Sequence, residues 1–170
     1  MESDAREILA NLGKNIDIIG GIFDQTMLEL RNCDGLELSR EPFCCAVSIH
    51  HPLALKEKLQ IHDLYGQNLL LMHRGWSSYV DQLRDDLWKN HSEIHIIDFD
   101  FYNTNIFNRC ENTNDVLLAI PGWANVHPLL KVIPVEWEYS IPYGLLHSHH
   151  PTEPVKKFLS AVKLSRNLEV

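Results

Sequence analysis

Short apolar runs alternate along this chain with segments whose apolar residues recur at helical spacing, and this alternation narrows the possible folds more than any other feature. Residues 16–23 (IDIIGGIF), 43–49 (FCCAVSI) and 68–72 (NLLLM) are short and nearly uniformly apolar. Such runs suit strands buried on both faces. Residues 94–99, 115–120, 130–137 and 141–147 read as further strands, and Pro121-Gly122 stops the second of these. Between them lie helical stripes. Asp4 and Glu7 form a capping-box variant ahead of Ala5, Ile8, Leu9 and Leu12, with Gly13 ending the helix. Ser77 and Ser78 cap a stripe of Val80, Leu83 and Leu87. Asn103 or Thr104 opens a helix carrying Ile106, Phe107 and Cys110. Thr152, with Pro154 in the first turn, opens a last helix with Val155, Phe158, Leu159 and Val162 on one face.

Buried strands alternating with amphipathic helices predict an α/β fold with mainly parallel sheets. The strands are numerous for a single sheet, so two α/β lobes are expected. In such folds ligands sit beyond the carboxyl ends of strands, near helix N-termini.

The formal net charge of −8 argues against a DNA-gripping face. No run of apolar residues is long enough for a membrane span, and the start, Met1-Glu2-Ser3-Asp4, lacks the apolar core of a signal peptide. Cys33, Cys44, Cys45 and Cys110 show no C-x-x-C spacing and read as reduced thiols in a cytoplasmic protein.

Several segments in order resemble the effector-binding domain of LysR-type transcription regulators. They are residues 12–18 (LGKNIDI), residues 42–47 with His50-His51-Pro52-Leu53-Ala54, residues 61–64 (IHDL) with Leu69-Leu70-Leu71, Ile133-Pro134-Val135, and Tyr143-Gly144-Leu145-Leu146. The resemblance implies the type II periplasmic-binding-protein architecture, two α/β lobes crossed twice by the chain, near Pro42 and near residues 135–139. Lobe I is then 1–41 plus 137–170 and lobe II 42–136. It also implies that the family's DNA-binding domain and the first strand–helix–strand of lobe I precede this chain, leaving lobe I incomplete. Residues 111–120 (ENTNDVLLAI) depart from the Gly-rich phrase usual in the family.

By this resemblance a small polar or anionic metabolite binds between the lobes and shifts their orientation, with no chemistry performed and no cofactor. The expected partners are that effector and further copies of the chain, with no membrane contact and DNA reached only through the domain ahead of this one. The runner-up is a solute-binding protein or small α/β enzyme of the same two-lobe shape.

Expected effector contacts are Gly21, Phe23 and Asp24 on lobe I and His73, Arg74, Gly75, Ser77, Ser78 and Asn103 on lobe II. The 73–78 stretch joins a strand to a helix start, where exposed N–H groups, hydroxyls and a guanidinium suit a carboxylate or phosphate. The ordinary reading of the same stretch is a capped surface loop with Arg74 in solvent. Gly20 and Gly21 allow close backbone approach, or simply a bend. Asn103 reads equally well as a cap. His147, His149 and His150 invite a metal-site reading, but no carboxylate or cysteine stands at ligand spacing and no metal is expected. Trp76, Trp123 and Trp137 could stack an aromatic effector, with core the better reading for Trp137. G-x-S-x-G, P-loop and H-E-x-x-H motifs are all missing.

Overall fold

The computed structural model describes residues 5–166, with side chains from Ile8 onward. The chain forms two compact units. Unit 1 comprises 1–40 and 142–170, and unit 2 is 41–141.

Unit 1 contains α1 (Ala5–Ala10), β1 (Ile18–Ile22), α2 (Gln25–Arg31), most of β2 (Cys33–Pro42), β8 (Ser140–Ser148) and α5 (Glu153–Ser165). Asp4, the expected cap of the first helix, lies outside the described residues. The strands form one sheet in the order β1-β8-β2. β1 runs antiparallel to β8, with Gly21 opposite Gly144. Phe23, Cys33 and Leu146 form a buried cluster against which Leu9, Leu12, Ile19 and Leu28 pack. The α2–β2 pair was not foreseen from the sequence. Its cap, Asp24, is followed by a short helix that ends at Asn32 in the left-handed region, φ 51°.

Unit 2 holds a five-stranded sheet, β5-β4-β6-β3-β7, built from β3 (Cys44–Ser48), β4 (Asn68–Met72), β5 (His95–Phe99), β6 (Val116–Ala119) and β7 (Leu130–Pro134). α3 (Ser78–Asn90) joins β4 to β5, and α4 (Thr104–Asn112) joins β5 to β6. The three inner strands β4, β6 and β3 carry the apolar runs. Leu69, Leu70, Leu71, Leu117, Leu118 and Val47 are fully buried there. Edge strand β5 instead has no fully buried residue, with His95 and Asp98 exposed and Ile96, Ile97 and Phe99 half-buried. α4 lays Ile106 and Cys110 onto Ala46, Leu70, Leu117, Ala119 and Leu130.

The expectation of mainly parallel sheets is corrected. β4 pairs parallel with β5 and with β6, but β3 pairs antiparallel with β6 and with β7. Parallel pairing needs a crossover long enough to hold a helix. α3 and α4 supply such crossovers, whereas β3 and β7 are the strands next to the unit's two ends. The strand expected over 130–137 stops at Pro134, and Trp137 folds back to donate its indole N–H to the Phe43 carbonyl at 2.8 Å.

Gly144 marks the tightest approach in unit 1. A Cβ there would lie 1.9 Å from the Leu36 carbonyl oxygen, a backbone atom with nowhere to go. Gly144→Ala is therefore expected to lower stability by about 1–3 kcal/mol or more, the scale of overpacking, as measured by urea unfolding followed by circular dichroism. An unchanged midpoint would refute this packing of β8 on β2.

Candidate functional site

The carboxyl end of β4 leads into α3 through His73-Arg74-Gly75-Trp76-Ser77. Gly75 has φ 85°, a left-handed conformation that favours glycine, and its N–H donates to Asp81 Oδ2 at 2.9 Å. The His73 N–H donates to the Phe99 carbonyl at 3.0 Å, tying the loop to the end of β5. Trp76 lies edge-on to Phe101, with ring centroids 5.7 Å apart.

Ser77 is the N-cap of α3, in extended conformation and only 2 % exposed. Its hydroxyl makes no capping bond and has no hydrogen-bond partner. One turn on, Asp81 Oδ1 is likewise buried without a partner. A buried hydroxyl or carboxylate oxygen left unmatched costs free energy, so two such atoms at one helix start call for a matching group. Arg84 Nε is a further buried polar atom without a partner, while the two terminal nitrogens of that guanidinium are committed. Arg84, 8 % exposed in the apolar stripe of α3, donates to the Met72 carbonyl at 2.6 Å and pairs with Asp98 at 2.8 Å. Arg74 is exposed and pairs with Asp85, whose carboxyl it holds below the usual carboxylate range through that hydrogen bond.

The expected contacts thus have different settings. Ser77 sits buried at the helix start, while Ser78, the first helical residue, is exposed. Half-buried His73 is bonded through Nδ1 to the Arg74 carbonyl at 3.1 Å. Asn103, at the start of α4, is exposed and its Oδ1 accepts the Ile106 N–H at 3.1 Å, which is capping. In unit 1, Gly21 has open space where a side chain would stand. Phe23 is buried in the unit's core, and Asp24 is 3 % exposed and accepts the Met27 N–H at 2.8 Å as the cap of α2.

Sequence reasoning missed Asp81 and Arg84. A signal was present for Arg84, since a cation at the buried 80–83–84–87 spacing must find partners inside. The histidines do not converge. His149 pairs with Asp34 at 2.9 Å, His147 bonds the Ser148 carbonyl, and no group of three metal-ligating side chains occurs among the described residues. Trp123 packs on Tyr102 and Phe107.

A family model for the LysR substrate binding domain matches residues 1–164. The chain belongs to that family. Solved structures of similar fold are the oxidized form of OxyR (18% identity, TM-score 0.59, covering 97% of this chain and 79% of that one), CbnR, a LysR family transcriptional regulator (15% identity, TM-score 0.68, 94% and 56%), and the effector binding domain of QuiR in complex with shikimate (14% identity, TM-score 0.64, 96% and 78%). No curated protein sequence matches. The fold is therefore the periplasmic-binding-protein-like α/β architecture of LysR regulatory domains, and the runner-up classes give way to the effector-binding one. No helix is long and apolar enough to cross a membrane among the described residues.

Burial also sets the thiol chemistry of this LysR domain. Desolvation pushes the Cys44 thiol up to about 11 and Cys110 up to about 12, and raises the fully buried Cys45 further. Tyr139 is pushed up to about 12, by burial and then by its hydrogen bond to Asp86. All shift upward on folding, so the stability they contribute is complete below the ordinary thiol value of 9.0 and is lost as pH rises from there towards 12. Urea unfolding should show lower stability at pH 10.5 than at pH 8, by about 1 kcal/mol or more for each thiol displaced by a pKa unit. A disulfide-exchange reagent at pH 8 should react slowly with the native chain and rapidly once it is unfolded. Rapid native reaction would show that a thiol is open to solvent.

Proposed function

We propose that this LysR domain senses a small polar metabolite at the N-terminus of α3, with Ser77 as the central contact. The observation that carries this reading is the Ser77 hydroxyl, 2 % exposed and without a partner at an uncapped helix start. The helix end favours an acceptor atom on the ligand, and Asp81 Oδ1 favours a donor. A hydroxyl-bearing metabolite, with or without a carboxylate, supplies both. A bare anion is less well matched, because Arg74 and Arg84 are each paired with an aspartate. His73, Gly75 and Ser78 frame the loop in this reading, and Asn103 caps α4. Phe23 and Asp24 of unit 1 serve that unit's core and the α2 cap. That QuiR is solved with shikimate supports a small-molecule effector for a domain of this fold.

The domain performs no catalysis in this reading. It acts within a cytoplasmic bacterial regulator that works as a homo-oligomer and contacts DNA through a separate domain. Effector binding shifts the population of regulator conformations, by as much as the effector's affinities for them differ.

Ser77→Ala separates this reading from an ordinary capped loop. It removes an unmatched buried oxygen, so the ligand-free chain should keep its stability or gain about 1 kcal/mol. Affinity for the effector, found by calorimetry against small hydroxy acids, polyols and carboxylates, should fall at least tenfold, about 1.4 kcal/mol. Arg74→Ala should change affinity far less. A ligand whose affinity is indifferent to Ser77→Ala would place the site elsewhere.

A further inference from the structure

We propose that unit 1 carries a second, self-contained small-molecule site, a cleft between α5 and strands β2 and β8 that takes a monocarboxylate with a short apolar body. The cleft measures about 380 Å³ and is lined by Gly35, Leu36, His147, Lys156, Leu159, Ser160 and Lys163. That volume falls within the range of small-molecule pockets.

Its chemistry follows from two periodicities. Lys156, Leu159, Ser160 and Lys163 recur at i, i+3, i+4 and i+7, so one face of α5 carries an apolar residue and a hydroxyl between two cations. Across from it, strand alternation turns Cys33 and Leu146 into the Phe23 cluster and leaves Leu36 and His147 on the opposite face, towards α5. The floor is therefore Leu36 and Leu159, and the rim is ammonium, hydroxyl and imidazole. The two lysines lie two turns apart, about 10.5 Å along the helix, and their flexible stems can converge on one carboxylate.

Two of the carboxylates nearby are engaged away from this rim, and a third pairs with one of its lysines. Asp34 is engaged by His149 at 2.9 Å and Glu37 by Arg40 at 2.8 Å. Glu153 bonds Lys156 at 2.7 Å, an exposed i,i+3 pair of the weak kind that exchanges readily. Lys163 has no ion-pair partner among the described residues. His147 Nδ1 is bonded to the Ser148 carbonyl and so carries its proton there, leaving Nε2 as the ring's second polar atom.

The test uses the whole chain labelled with nitrogen-15, titrated separately with hexanoate, 1-hexanol and inorganic phosphate. Hexanoate should move the Gly35, Leu36 and Ser160 amides to saturation, while 1-hexanol and phosphate each bind at least tenfold more weakly. The Lys156→Glu/Lys163→Glu double variant changes two surface side chains and should weaken hexanoate at least tenfold. Ser160→Trp, which fills the cleft from an exposed helix position, should abolish the saturable shifts. Ser77→Ala should leave hexanoate binding here untouched, so failure at this cleft and failure at α3 are distinguishable. Equal binding of 1-hexanol or of phosphate, or hexanoate affinity unchanged in the double variant, overturns the proposal.

Discussion

Arg84 is the interaction on which the carboxyl end of the unit 2 sheet depends. A guanidinium buried within an apolar helix stripe must find partners inside. Arg84 finds the Met72 carbonyl at the end of β4 and Asp98 near the end of β5. It thereby locks α3 to the carboxyl ends of two parallel strands. The 73–77 loop is held from both sides, by this anchor and by the Gly75–Asp81 and His73–Phe99 bonds. A rigidly held loop can keep Ser77 unmatched in the free chain, because the backbone does not relax to satisfy it.

In the reading proposed above, that rigidity is what lets the loop discriminate between ligands. A hydroxyl that already has a protein partner gains little from a ligand, whereas one without a partner rewards any group that reaches it and penalises a ligand that leaves it unmatched. Arg74, the more conspicuous residue in the sequence, does the opposite. It is satisfied by Asp85 in solvent, where a charge is screened and adds little selectivity.

The fold was largely legible in the sequence because its signal is apolar periodicity. The runs at 43–49 and 68–72 appear as β3 and β4, and the stripe Val80, Leu83, Leu87 appears as the buried face of α3. The α2–β2 segment was not legible. β2 has a half-buried pattern without strong alternation, and α2 buries only Met27, so neither presents a clear period. Strand direction was misread because periodicity carries no polarity. Of the candidate contacts, Ser77 and Gly75 stand out in the sequence by residue type, while the α2-capping role of Asp24 and the pairing of Arg74 depend on partners that spacing alone does not reveal.

Unit 1 is drawn from two stretches of chain separated by the whole of unit 2. Its central pairing joins Ile18 to His147, so that contact forms only after the intervening residues have left the ribosome. Closing a loop of that length carries a large entropic cost unless the loop has first become compact. Unit 2, whose strands and helices follow one another without interruption, is therefore the part that can fold during synthesis. β8 follows unit 2 in the chain and is the strand that joins β1 to β2. Until β8 is in place, β1 and β2 have no shared partner, and unpaired strand edges of this kind are prone to wrong pairing.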